Sequence, residues 1–176
     1  MIKICLEKGA PVGVKDSFGR SALHLAARDA NSLAIVILFH ERGVPIDDAD
    51  AGGRSALCDA AANGNAELVT WLLDKGAQLD RKDNRGQTPL YSAVLGGKEA
   101  SVRALLKAKA NVNTRDNFGD TPLMGACNKG FETIARLLVE NGADRALKDQ
   151  EGRTAAERAA EDAAFCKSLA ASGATP

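Results

Sequence analysis

The sequence predicts an all-α solenoid of stacked helix–turn–helix units, and three observations carry that prediction. The first is composition: 32 of the 176 residues are alanine and only 4% are aromatic, which suits short helices in close contact better than a sheet core. The second is a repeat. An Asp followed three residues later by Gly returns as Asp16/Gly19, Asp50/Gly53, Asp83/Gly86, Asp116/Gly119 and Asp149/Gly152, with Asp spacings of 34, 33, 33 and 33, a period that marks stacked structural repeats. The third is agreement of the surrounding columns. Ser21, Ser55, Thr88, Thr121 and Thr154 stand two residues past each Gly, and Ala26, Ala60, Ala93, Ala126 and Ala159 follow five residues later.

Each column has a physical reading. The Gly supplies a turn conformation that a Cβ would penalise. The Ser/Thr is a helix N-cap, accepting a bond from an otherwise unpaired first-turn amide. Pro89 and Pro122 follow it at the first helical position, where a missing N–H costs nothing. Thr154 and Glu157 read as a capping box. Leu23, Leu57, Leu90 and Leu123 supply a core residue, with Ala156 in the last unit, and the alanine column lets neighbouring helices approach closely. First helices are predicted near 21–29, 55–62, 88–95, 121–128 and 154–161.

Second helices are read from the apolar runs Ile35–Phe39, Leu68–Leu73, Val102–Leu106 and Ile134–Val139. Gly9, Gly43, Gly76 and Gly142 end them as left-handed caps. Lys109 stands where the third unit would have that Gly. The extra residue of the first unit falls in Arg28–Ser32, the turn between helices, where later units have Gly64, Gly97 and Gly130; a surface turn absorbs an insertion cheaply.

The Asp-x-x-Gly-x-Thr-Pro-Leu lines (Asp83 to Leu90, Asp116 to Leu123), the 33-residue period and the closing Leu72-Leu73-Asp74-Lys75-Gly76-Ala77 resemble ankyrin repeats, over about residues 2 to 170. The resemblance implies a curved ankyrin-repeat solenoid whose units are joined by β-hairpin-like loops. It divides the chain into a partial repeat at 1–15, repeats at 16–49, 50–82, 83–115 and 116–148, and a capping repeat with its tail at 149–176. Met1 aligns with the middle of a second helix, so the chain is expected to be a segment of a longer one, with a lone capping helix as the alternative. The first two units depart from the pattern with Ser21-Ala22-Leu23 and Ser55-Ala56-Leu57, and only His24 matches the family's His; Cys58, Tyr91, Met124 and Glu157 replace it later.

Chemistry is not expected of this chain. Only two histidines occur: His24 reads as a structural hydrogen-bonding residue and His40 as a partly buried helix residue. No catalytic elbow, zinc-protease helix or phosphate loop is present, and Gly96-Gly97-Lys98 is a turn between helices. Asp47-Asp48 and Glu161-Asp162 read as solvated charges. No catalytic residue, cofactor or metal is expected.

Lys+Arg and Asp+Glu are 23 each, which argues against nucleic acid as a partner. Lys15, Lys82, Arg115 and Lys148 each precede a repeat Asp, and are read as salt-bridged loop bases. The richest apolar stretch, Leu33–Phe39, is far short of a membrane span. The amino terminus shows no cleavable signal. Cys5, Cys58, Cys127 and Cys166 lie far apart and are read as small buried thiols in a reducing compartment. An intracellular protein, cytoplasmic or nuclear, is expected.

The resemblance further implies a protein-interaction module that meets an unidentified protein partner through loop tips and the concave face of the first helices, as a monomer in isolation. Mapped onto this chain, those columns are Ser17, Phe18, Arg20, Gly52, Arg54, Arg85, Gln87, Phe118 and Asp120 in the loops. Arg28, Tyr91, Leu95, Asn128 and Lys129 come from the helices. Tyr91 and Leu95 lie four apart on one helix, and with Arg85 and Phe118 form the preferred anchor cluster; Trp71 is read as core. The alternatives are a regulatory segment or subunit of a larger enzyme, channel or transcription factor, or a substrate of an asparagine hydroxylase at Asn113, where Asn111 replaces the usual Asp.

Overall fold

The computed structural model describes residues 13–29, 33–161 and 163–169. The expectations for Cys5, Gly9, the half unit up to residue 12, the tip of the turn at 30–32, Asp162 and the tail from 170 lie outside these residues. Helices pair unit by unit: α1 (Ala22–Ala27) with α2 (Leu33–Glu41), α3 (Ala56–Asn63) with α4 (Ala66–Asp74), α5 (Pro89–Leu95) with α6 (Glu99–Lys107), and α7 (Pro122–Asn128) with α8 (Glu132–Glu140); α9 (Ala164–Ser168) closes the stack. The first helices α1, α3, α5 and α7 pack on one another in a row, and α4, α6 and α8 form a second row behind them.

In the second, third and fourth units the cap column does its predicted work, while in the first the Ser21 hydroxyl meets the His24 ring at 2.9 Å. Ser55, Thr88 and Thr121 hydroxyl oxygens accept from the amides of Cys58, Tyr91 and Met124. Leu23, Leu57, Leu90 and Leu123 are fully buried, as are Ala60, Ala93 and Ala126. The second helices bury Val36, then Leu68, Val69 and Leu72, then Val102 and Leu105, then Ile134 and Leu138. Trp71 is half-buried against this core, with the His40 ring edge-on to it at 5.5 Å. Gly43, Gly76 and Gly142 end their helices near φ +90°, and Lys109 takes the same left-handed conformation at φ +69°, where a Cβ is disfavoured.

The last unit departs from its prediction. Thr154 and Glu157 do form the capping box, with the Thr154 amide donating to the Glu157 carboxylate at 2.6 Å, but residues 155–158 form a turn and no α-helix spans 154–161. One reason lies two residues past that turn. The Ala160 amide donates to the Cys127 carbonyl of the preceding unit at 3.0 Å, so the backbone leaves the path along which a helix would propagate.

The cysteine reading is also corrected. Cys58 is a buried free thiol, but Cys127 and Cys166 form a disulfide between α7 and α9. They are distant in sequence, and the stacking of the last unit on the fourth sets their Cα atoms 5.5 Å apart, within bonding geometry.

Candidate protein-interaction face

The loop tips are built by the repeated Asp. In every unit its Oδ1 accepts two backbone amides, two and four residues on: Phe18 and Arg20 for Asp16, Gly52 and Arg54 for Asp50, Arg85 and Gln87 for Asp83, Phe118 and Asp120 for Asp116, Glu151 and Arg153 for Asp149. The Asp amide also donates to the carbonyl four residues on, and the Gly amide returns to the Asp carbonyl. The tips are therefore hairpin-like, although the described residues include only an isolated bridge between Ala49 and Ser55 and no strand.

Neighbouring tips are joined by a ladder. The amides of Ala51, Asn84, Asn117 and Gln150 donate to the carbonyls of Phe18, Gly52, Arg85 and Phe118. The side-chain amides of Asn84, Asn117 and Gln150 add a second rail, each donating one unit back, to Ala51, Asn84 and Asn117. A third line runs lower down, where Asp47, Asp80 and Asn113 accept from the amides of Gln78, Asn111 and Asp144. Asn113 also donates to the Gly142 carbonyl, so both ends of its side chain are engaged. Of these residues only Asn113 was a sequence-predicted candidate, yet the 33-residue spacing of the columns was there to be read.

The loop cations do not pair as expected. Lys15 bonds Asp48 at 2.6 Å, not the adjoining Asp16. Lys82 and Arg115 donate to the carbonyls of Arg115 and Lys148 in the next unit. They tie units together. His24 behaves as a structural residue: its Nδ1 accepts from the Ser21 amide at 3.2 Å, which places the proton on Nε2, and Nε2 donates to the Arg54 carbonyl at 2.8 Å.

On this frame the mapped residues separate into open and closed positions. Phe18 and Phe118, in the same tip column, are 64% and 63% exposed, and Leu95 is 37% exposed. Arg28, Arg85, Asn128 and Lys129 are exposed, as are Ser17 and Gly52. Arg20 lies over the Phe18 ring at 4.9 Å while its guanidinium holds Asp16. Arg54 is half-buried, 3.4 Å from Asp59, and Gln87 reaches toward Asp116.

Tyr91 corrects the anchor cluster. It is only 5% exposed. It does share a face with Leu95, but that face meets the next unit, because a Cβ on Gly125 would touch both side chains at 3.6–3.7 Å. The approach of α7 at Gly125 covers the ring. Burial, with Asp116 and Asp120 nearby, pushes the Tyr91 hydroxyl well above its usual value.

Two exposed residues were missed, Val14 at 61% and Leu25 at 46%. Leu25 opens the column Leu25, Asp59, Ser92, Gly125 and Arg158, whose changing residue types signal a position free of the repeat's own demands.

The carboxylates nearby are committed to structure. Asp120 is bonded by Arg158, which also holds Asp149 at 3.1 Å, and Arg153 holds Asp149 at 3.0 Å. These groups line a shallow depression of about 200 Å³ beside Phe118. Burial raises the Asp120 carboxyl above its usual range, with Arg158 acting against the rise. Asp59 is 6% exposed, its Oδ2 has no partner, and burial raises it likewise. No cluster of three or more His, Cys, Asp or Glu suited to a metal ion occurs among the described residues. No described helix is long and apolar enough to cross a membrane.

A search of curated proteins finds no match for the chain. A protein-family model described as ankyrin repeats (3 copies) matches residues 1–83, 49–116 and 109–176. Those matches run the length of a chain whose tips, caps and paired helices repeat in step, and the chain belongs to the ankyrin-repeat family.

Proposed function

We propose that this chain is a non-enzymatic protein-interaction module that takes a partner protein along its loop tips and the exposed side of its first helices. Ankyrin repeats are in general protein-interaction modules. One observation carries the reading to this face. Among the described residues, the exposed large apolar side chains are Val14, Phe18, Leu25, Leu95 and Phe118. All lie on the tips, the segment leading to the first tip, or the first helices, and none on a second helix. Exposed aromatics flanked by arginine are the residue types that anchor interfaces. Binding to units already held in register by the ladder loses little ordering entropy.

The test is affinity capture from native extract, followed by titration of the captured partner against variants. Phe18→Ala, Leu95→Ala and Phe118→Ala together should weaken binding at least tenfold with the helical spectrum unchanged, since each anchor is worth about 1–2 kcal/mol. Undiminished binding by the folded triple variant overturns the assignment of this face. Arg28→Ala and Lys129→Ala then report on its polar margin.

A further inference from the structure

The last unit is held differently from the others. The second helices of the first four units run nine residues each, whereas α9 runs five. Its first segment stops at a turn. Its tip joins the ladder through Gln150, and Arg158 bonds Asp120; beyond these, its closing segment is docked by a few contacts. The Ala160 amide bonds the Cys127 carbonyl, the Phe165 amide bonds the Glu132 carboxylate at 2.7 Å, and the Arg136 guanidinium covers the Phe165 ring at 4.0 Å. To these is added the covalent bond from Cys127 to Cys166, spanning 39 residues. Cys127 stands in the column that holds Ala27, Ala61 and Val94 in earlier units, where a small apolar residue suffices for packing. Here the sulfur makes a tie to the unit beyond.

We propose that Cys127–Cys166 is a redox-sensitive clamp on the last unit. Oxidised, it keeps the unit docked over α7 and α8. Reduced, it lets the unit open while the second and third units remain folded. The reductant is a dithiol. One of its thiolates attacks a cystine sulfur and displaces the other as thiolate, giving a mixed disulfide. Its second thiolate then resolves that bond. Two electrons pass to the protein, Cys127 and Cys166 leave as thiols after protonation, and the reductant leaves as its own disulfide. Both cysteine residues are fully buried, so attack requires a transient local opening around the bond.

Hydrogen exchange read by mass spectrometry tests this on the full chain, prepared without reductant and again with dithiothreitol. Intact mass and thiol alkylation should show Cys127 and Cys166 joined in the first sample and free in the second. Amides of the last unit should exchange at least tenfold faster after reduction, with α3 to α6 unchanged. Cys127→Ala should reproduce the fast exchange without dithiothreitol and show no further response to it. Equal exchange in the two samples overturns the clamp. So does faster exchange throughout the stack, which would make the bond a staple of the whole fold, and so do free thiols at both positions in the unreduced sample. If Cys127→Ala fails to fold, the comparison on the unaltered chain decides by itself.

Discussion

The third unit and the last begin with the same instructions and end differently. In both, the tip Asp accepts two amides, and in both the Thr hydroxyl accepts from the residue three on, Tyr91 in one and Glu157 in the other. Yet α5 runs to Leu95, whereas residues 155–158 form only a turn. The column after the cap explains much of this. Leu90 is fully buried there, and the last unit has Ala156, only partly buried, a difference of roughly 2 kcal/mol of apolar burial. A cap starts a helix; burial of a large side chain keeps it.

The strongest way to break this comparison is to remove core from each unit. Leu105→Ala in α6, where the side chain is fully buried, should cost about 3 kcal/mol, read as a lowered urea midpoint. Phe165→Ala in the half-buried position over Arg136 should cost less than half as much. Equal losses would mean the last unit is as firmly built as the third.

Asp59 offers a second contrast: its Oδ1 meets Arg54 only at 3.4 Å and its Oδ2 is buried without a partner, whereas Asp120 is bonded by Arg158. Burial lifts the folded-state value of Asp59 above the unfolded one. Its favourable contribution is therefore present in acid and lost as pH rises through the folded-state value. Asp59→Asn should accordingly gain on the parent chain as pH rises above the usual carboxylate range, measured by denaturant melts in acid and at neutral pH. A pH-independent difference would contradict the assignment.

Smaller effects sharpen the picture. Thr88→Ala removes a buried cap and should cost about 1 kcal/mol, while Thr154→Ala, at an exposed box that leads into no helix, should cost a few tenths by the same melts. Lys109→Gly relieves the left-handed Cβ at φ +69° and should add about 0.5 kcal/mol. A loss instead would mean that Gly's freedom in the unfolded chain outweighs that relief.

Most of the fold was legible because its causes are local and repeated. The Ser/Thr caps, the Leu and Ala columns and the left-handed helix ends each act within a few residues, and five copies of the pattern reinforce one another. What escaped depends on neighbours. Tyr91 looks open on its own helix and is closed by the approach of α7 at Gly125. The 154–161 segment looks helical until the Cys127 carbonyl captures the Ala160 amide. The disulfide joins residues that only stacking brings together. The proposed face was half legible: Phe18, Leu95 and Phe118 are exposed in columns the repeat marks, while the exposed Leu25 directly follows the buried structural His24 and carries no signal of its own.

The side-chain rail of Asn84, Asn117 and Gln150 has a consequence for how such a chain can change length. Each of these amides reaches back to the carbonyl of the same column one unit earlier, so a unit carries both the plug and the socket of its joint. Copying residues 83–115 in tandem would place a plug opposite a matching socket at every new seam. The array can thus grow or shrink by whole units without any joint having to be reinvented.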